Sequence, residues 1–249
     1  MSQQPILSIS IVSHGQGTLV AALLADIVAH GYAPIEVLLT VNVPEPLPFN
    51  PASFPFPVTV IRNTVRRGYA TNHNAAAVVA GGRYFCVLNP DIRLVQNPWP
   101  RLIEQLEDES VGVVGPLIVS PSGQIEDSAR RFPTPVNIFK KAFLGSPGVE
   151  YAINTEPLHP DWIGGMFMVF RTALFRFVGG FDERYFLYYE DVDLCWRLSR
   201  AGFRVLLMPS ERVVHAAQRT SHRNPVYLKW HVCSMLRFFG KRYAPWFFR

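Results

Sequence analysis

The sequence predicts an α/β fold with a mostly parallel central sheet flanked by helices. Two patterns carry this reading. Strand-like and helix-like stretches alternate through roughly the first hundred residues, the order that builds parallel strands with crossover helices. Tyr84 to Leu88 is continuously apolar, as strands covered on both faces are. Length agrees: 249 residues, 49% of them apolar, can bury a substantial core in one large domain or two small ones.

Leu7 to Ser13 is β-branched and alternating, a strand. Thr18 to His30 has helical periodicity and stops at Gly31, a suitable C-cap. Ile35 to Val41 is the next strand. Pro44 to Pro57 is a loop with six prolines, and Val58 to Ile61 a short strand. Tyr69 to Ala80 reads as a helix ended by Gly81-Gly82, before the buried strand at Tyr84. A helix from Trp99 to Glu107 leads to a strand from Val111 to Gly115. Ser120 to Pro160 is loop-rich, with scattered glycine and proline. Regularity returns at Trp162 to Phe170, a helix from Thr172 to Val178, a helix from Asp191 to Ala201 and a strand from Arg204 to Met208. In the tail, Asn224-Pro225 opens a last helix. Its Leu228, Val232, Met235, Leu236 and Phe239 share one stripe, with Lys229, Arg237 and Lys241 on the other side.

Composition excludes several classes. No apolar run reaches about 18 residues, so no membrane-crossing helix is expected. The start is polar and uncharged before a strand, unlike a secretory leader. Cys86, Cys195 and Cys233 are far apart and lack zinc spacing, which suits reduced thiols of a cytoplasmic protein. The net charge of +5 is uneven: His215 to Arg249 contains no Asp or Glu but holds Arg219, Arg223, Lys229, Arg237, Lys241, Arg242 and Arg249. Such a tail favours an anionic partner: phospholipid, nucleic acid or a phosphorylated substrate.

Two acidic sites stand out. Gly179 to Gly202 mixes aromatic residues with Asp182, Glu183, Glu190, Asp191 and Asp193. Carboxylates among apolar rings acquire raised pKa values suited to proton abstraction. The helix start at Glu190-Asp191 acts the other way, because its dipole favours the ionised form. Upstream, Asn89-Pro90-Asp91 ends the apolar strand, where open α/β sheets bind ligands. Asp91 there is either a metal ligand or part of a turn. Gly68 to Asn74, behind Arg66 and Arg67, is either an anion-binding helix start or an ordinary capped junction. His215 follows a strand, and Trp162-Ile163-Gly164-Gly165 is a loop that lets backbone approach a ligand. Arg130 and Arg131 are either phosphate contacts or surface charges. Together these features suggest an enzyme pairing a metal ion with a general base.

Four blocks resemble family 2 glycosyltransferases of the GT-A fold. They are Ile9 to Ser13, Gly68 to Asn74, Val87 to Asp91, and Gly164-Gly165 through Phe181-Asp182-Glu183 to Glu190-Asp191-Val192-Asp193-Leu194. The likeness is closest to the rhamnosyltransferase-like branch that builds bacterial surface polysaccharides, including lipopolysaccharide, and it spans roughly residues 7 to 240. It implies a Rossmann-like GT-A domain over 1–215, with a nucleotide-sugar half to about 118, an acceptor half from about 119, and a basic amphipathic tail over 216–249. It implies Asp191 as catalytic base with Glu190 beside it, and Asp91 with His215 holding Mg2+ or Mn2+. The nucleotide sugar is expected against Ser13, His14, Asn42, Arg67, Gly68, Asn72, Asn74, Asn89 and Asp91. Trp162, Gly164 and Gly165 are expected to shape the donor and acceptor loop. Asn42 stands where many relatives place a base-reading aspartate, and Ser13-His14 replaces a more usual Tyr-Asn, which leaves the nucleotide open among dTDP, UDP and GDP.

The expected reaction is an inverting, metal-dependent transfer of a sugar, rhamnose by resemblance, to a glycan or a lipid-diphosphate-linked sugar. The alternative is an inactive sugar-binding protein on the same fold. A nucleic-acid partner is not expected, because acidic cleft motifs would repel phosphates and no nucleic-acid module occurs. The tail either packs on the domain or lies on the inner face of the cytoplasmic membrane.

Overall fold

The computed structural model describes residues 4–31, 34–126, 128–145, 150–216, 225–244 and 246. Asn224, Arg219, Arg223 and the last three residues, singled out above, lie outside them.

Ten strands and seven helices follow one another in the described residues. The first half holds β1 (Leu7–Ser13), α1 (Gly17–His30), β2 (Ile35–Val41), β3 (Val58–Arg62), α2 (Tyr69–Val79), β4 (Tyr84–Leu88), β5 (Ile92–Leu94), α3 (Trp99–Gln105) and β6 (Val111–Val119). The second half holds β7 (Ala129–Arg130), α4 (Pro135–Leu144), β8 (Trp162–Ile163), β9 (Phe167–Arg171), α5 (Thr172–Phe177), α6 (Glu190–Arg200), β10 (Arg204–His215) and α7 (Pro225–Tyr243). Eight strands form one sheet in the order β3-β2-β1-β4-β9-β6-β10-β5, and β7-β8 form a separate ribbon.

β1 to β4 pair in parallel, and β6 pairs in parallel with β10. β9 runs antiparallel between β4 and β6, and β5 runs antiparallel at the far edge. The sheet is therefore mixed. Every residue of β4 and of β6 is buried, as their unbroken apolar runs require. One core lies under α1 and α3 and is built on Leu7, Ile9, Ile11, Trp99 and Phe167. The other lies under α2, α5 and α6 and is built on Phe85, Phe170, Phe175 and Phe181.

Most elements match the sequence pattern within a residue or two, and three features depart from it. β6 and β10 run on to Val119 and His215, past Gly115 and Met208, because the two strands pair again beyond a bulge between Met208 and Arg212. The loop-rich region contains α4, capped by the Thr134 hydroxyl accepting from the Asn137 amide. β5 has only three residues, too few for a pattern, and forms because His215 pairs with Ile92.

The last helix also departs from expectation. Ser234 and Phe238 face inward, with Met235 and Phe239 at the edge of a cluster of Tyr185, Tyr189 and Val192. Leu228, Val232 and Leu236 point to solvent. Lys241, expected on the outer basic side, turns inward and donates to Asp193 at 2.5 Å and Asp182 at 3.0 Å. The Asp193 side chain is fully buried and also accepts from Arg197 at 2.7 Å. Buried carboxylates need paired cations, and this demand rotates the helix against its apolar stripe. Asp182, held by Arg184 and Lys241, titrates well below the usual carboxylate range although burial opposes this.

Removing the Lys241 charge leaves Asp193 short of one donor. Lys241→Ala should cost about 2 kcal/mol and lower the thermal midpoint by roughly 4–8 °C. The exposed Lys229→Ala should stay within about 0.5 kcal/mol of the parent. Equal midpoints for the two variants in thermal unfolding would refute the anchoring role.

Candidate active site

The carboxyl ends of the parallel strands gather most of the residues singled out in the sequence. β4 runs into Asn89-Pro90-Asp91, where the Asn89 amide donates to Met166 O at 2.9 Å and the Ile92 amide closes the turn on Asn89 O. Asp91 Oδ1 is buried without a hydrogen-bond partner. Asp91 Oδ2 lies 3.2 Å from His215 Nε2, and His215 Nδ1 lies 2.7 Å from Glu126 Oε2. Burial lowers the His215 pKa, but the bonds and charges of Asp91 and Glu126 outweigh it and raise the pKa to about 8.

This arrangement fits a divalent cation. Asp91 offers an unpartnered oxygen, and His215 Nε2, once deprotonated, is a second donor beside the same carboxylate. Glu126 binds the other imidazole nitrogen, the carboxylate–histidine relation that orients a ligating ring. No group of three or more His, Cys, Asp or Glu side chains is spaced as a metal cage among the described residues. Mg2+ and Mn2+ sites that open onto phosphate draw their other ligands from the substrate and water.

Glu190 and Asp191 open α6 behind two tyrosines in the left-handed region, Tyr188 at φ 69° and Tyr189 at φ 67°. Such a backbone costs about 1–3 kcal/mol per residue and persists only where surroundings enforce it. Here the Tyr69 amide donates to Phe186 O, the Asp193 amide donates to Tyr189 O, and both tyrosine rings pack on His231. The turn aims Asp191 back at the sheet, where Gly165 N donates to Oδ2 at 2.8 Å. Val192 N donates to Oδ1 at 2.8 Å.

Burial raises the pKa of Asp191. Burial and then the Asp191 charge raise Glu190 well above the ordinary carboxylate range. Burial thus outweighs the helix dipole at both groups. The backbone donors favour charge on Asp191, whereas Glu190 Oε2 is buried without a partner. Asp191 is therefore the member that ionises, and Glu190 the member that keeps its proton.

Tyr69 joins the two acidic sites. Its hydroxyl lies 2.7 Å from Gly165 O and 3.1 Å from Asn89 Oδ1. Burial, with the nearby Asp191 and Asp91 carboxylates, holds its pKa well above the usual phenol value. A neutral phenol thus ties the Asp91 turn to the loop that binds Asp191.

The other predicted residues separate into two groups. Around the ends of β1 to β3, Asn42 Nδ2 donates to Arg67 O and Asn42 Oδ1 accepts from Arg67 N, both at 2.9 Å. Asn63 donates to both Asn42 and Asn72, and His14 Nδ1 lies 3.4 Å from Asn42. Ser13 donates to Glu45 Oε1 at 2.5 Å, and Glu45 also accepts from Gly15 N and Gly17 N. The second group holds elements together. A Cβ at Gly68 would sit 2.8 Å from Phe186 O, so glycine permits that close approach. Asn74 exchanges bonds with the Phe181 backbone, and Gly164 N donates to Ser128 O.

A cavity of about 700 Å³ opens beside Asp191. Trp162, Tyr188, Tyr189 and Tyr227 supply aromatic walls, Ile138, Leu228 and Met235 apolar ones, and Arg130 and Arg131 positive charge. Trp162 Nε1 donates to Arg131 O, and the Arg130 guanidinium lies 5.7 Å from the Trp162 ring centre. The tail helix is thus part of the site wall.

Sequence reasoning missed Tyr69, Asn63, Glu45 and Glu126 as site residues. Tyr69 and Asn63 sit in or near the motif between β3 and α2, so only their roles were hidden. Glu126 reaches His215 because residues 120–124 turn back on β6, with Val119 bridging Ile125.

A model described as Glycosyl transferase family 2 matches residues 8–176, ending before Glu190. An N-acetylglucosaminyl-diphospho-decaprenol L-rhamnosyltransferase of Mycobacterium tuberculosis is 30% identical over 270 residues, which cover 97% of this chain and 86% of that protein. Rhamnosyltransferase WbbL of Escherichia coli is 29% identical over 192 residues, covering 70% of this chain and 71% of its own. The crystal structure of GalNAc-T7 with UDP, GalNAc and Mn2+ superposes with a TM-score of 0.68 at 17% identity, and the match spans 87% of this chain and 44% of that one. That likeness shows the fold, GT-A. With the family model matching more than half its length and a relative 30% identical along nearly all of it, the chain belongs to Glycosyl transferase family 2 and is a glycosyltransferase.

Proposed function

We propose that the chain transfers rhamnose from dTDP-rhamnose, with inversion, to a sugar carried on a lipid diphosphate in cell-surface polysaccharide synthesis. One observation carries this reading. Asp191, a buried carboxylate held by two backbone donors, lines a cavity with aromatic, apolar and arginine walls, and Tyr69 ties it to the Asp91 turn. Aromatic faces suit sugar rings, arginines suit a diphosphate, and Ile138, Leu228 and Met235 suit a prenyl chain. The Mycobacterium tuberculosis relative is named for such an acceptor and for rhamnose.

Asp191 takes the proton of the acceptor hydroxyl as its oxygen attacks the anomeric carbon. The bond from that carbon to the diphosphate oxygen breaks, and its electron pair leaves with the nucleotide. One displacement inverts the centre and needs no covalent intermediate. Asp91 and His215 would hold a Mg2+ or Mn2+ ion, which when bound neutralises charge on the leaving diphosphate. The GalNAc-T7 structure contains Mn2+ in the same fold. The donor is assigned to the first half of the chain, at the strand ends where Ser13, His14, Asn42, Arg67, Asn72 and Asn89 stand. The acceptor is assigned to the cavity of the second half and α7.

Thermal unfolding with dTDP, UDP and GDP, each with and without Mn2+ or Mg2+, tests the donor assignment. At about a hundred times its dissociation constant, dTDP with metal should stabilise the fold by roughly 2.7 kcal/mol. A shift with UDP or GDP alone would reassign the donor; no shift with any nucleotide would remove the donor site.

Asp191→Asn should lower turnover by about 10²–10⁴-fold while keeping the nucleotide-induced stabilisation. Full turnover in this variant would overturn the base assignment.

The folded state favours neutral Glu190, whose ordinary value is 4.5. That contribution is complete below the ordinary value and is lost as pH rises through the raised one, where charge is buried. Glu190→Gln should therefore be more stable than the parent at pH 8, by roughly 1 kcal/mol, with the gap closing toward pH 4. A gap in thermal midpoints independent of pH would contradict a protonated Glu190.

A further inference from the structure

We propose that the outward faces of α4 and α7 form a docking surface for an anionic phospholipid bilayer. Two apolar stripes point away from the protein. On α4 they are Val136, Phe139 and Phe143, spaced three and four residues apart on one helix face. On α7 they are Leu228, Val232 and Leu236, each four residues from the next. These six side chains are between 38% and 72% exposed. The α7 stripe lies opposite the face that buries Ser234 and Phe238, so domain packing does not account for it. Exposed apolar stripes that repeat along a helix face mark a surface that meets a partner.

Charge selects the partner. Residues 128–149 and 215–249 contain no Asp or Glu but hold 11 of the chain's 24 Lys and Arg, including all four lysines. The rest of the chain carries 13 basic and 19 acidic residues, an excess of acid. Apart from Lys241, which turns inward to Asp182 and Asp193, this positive charge belongs to the two segments that bear the exposed apolar stripes. Lys140 and Lys229 flank the stripes and are exposed. Apolar residues that enter the interface and lysines that meet anionic headgroups are the marks of a helix lying in a membrane surface. No described helix is long and apolar enough to cross a membrane, so the contact is with one leaflet.

The cavity opens between these helices. Ile138 of α4 and Tyr227, Leu228 and Met235 of α7 line it, and Leu228 belongs to both cavity wall and exposed stripe. A bilayer on this face would put its lipids at the cavity mouth. The inference deepens the lipid-linked acceptor reading, but its test reads binding rather than turnover, so the two can fail separately.

The experiment is flotation of the whole protein with vesicles of phosphatidylcholine alone or mixed with phosphatidylglycerol. The protein should float with the mixed vesicles and bind at least about tenfold less to neutral ones, or to mixed ones at high salt. Phe139→Asp with Phe143→Asp, and Val232→Asp with Leu236→Asp, should each weaken binding by roughly tenfold or more while the thermal midpoint stays put. None of the four lines the catalytic cavity. Absence of flotation with anionic vesicles, or flotation unaffected by both double variants, would overturn the proposal. So would a dimer in sedimentation that the Val232→Asp, Leu236→Asp variant dissolves, since that outcome assigns the face to a second copy. Loss of transfer to a lipid-linked acceptor with flotation intact would count against the acceptor reading alone.

Discussion

The hydrogen bond from the Gly165 amide to Asp191 Oδ2 joins two parts of the chain that sequence separates by 26 residues. A carboxylate set among tyrosines would lose its charge to burial without donors to hold it. Gly165 and Val192 supply two backbone donors, and Glu190, denied any partner for Oε2, does not compete for ionisation. The pairing therefore divides one acidic dipeptide into a carboxylate that backbone donors stabilise and a neutral acid. The rest of the site follows from keeping Gly165 in place. Its carbonyl accepts from Tyr69, whose hydroxyl also reaches Asn89, so a shift of the base loop is felt at the Asp91 turn.

This coupling explains why the sheet is mixed. β9 enters antiparallel between β4 and β6, with Phe167 opposite Leu88. The reversal brings Met166 and Gly165, just before β9, to the carboxyl end of β4, where Met166 O accepts from the Asn89 amide. A parallel insertion would bring them to the opposite edge. β5 answers the same need from the other side. Its antiparallel pairing with the end of β10 sets His215 beside Asp91. The strands that depart from the parallel pattern are those that bring His215 to Asp91 and Gly165 to Asp191 at one edge.

Legibility in the sequence follows from how local each cause is. β1 to α2 were readable because periodicity and glycine stops are local, and β4 because burial on both faces leaves an unbroken apolar run. The extension of β10 to His215 was not readable. Pro209, Ser210 and Glu211 interrupt the apolar pattern there, and pairing with β5 and β6 carries the strand past them. Asp91, Asp191 and His215 were found through motifs, each of which admits a bland reading when taken singly. Their mutual placement was not visible, nor was the part played by Glu126, which comes from a hairpin in a region without periodicity. Asn42 shows the reverse case. Its position was found, yet its amide groups bind the Arg67 backbone, a structural use that a motif cannot announce.

The last helix shows one element answering two incompatible demands. Its most apolar stripe would ordinarily choose the buried face. Asp182 and Asp193 lie beneath it, and an unpaired buried carboxylate costs more than an exposed leucine. Lys241 therefore goes inward, Phe238 follows it by its place three residues earlier, and Leu228, Val232 and Leu236 are left outside. The same rotation places Tyr227, His231 and Met235 on the cavity wall. A buried ion pair near the helix end thus determines which side chains face the cavity beside Asp191 and which face the surroundings. Such a pair contributes little net stability over a well-packed apolar contact, but it admits one helix orientation and not the competing one. Orientation is what a wall shared between the cavity beside Asp191 and an outer surface requires.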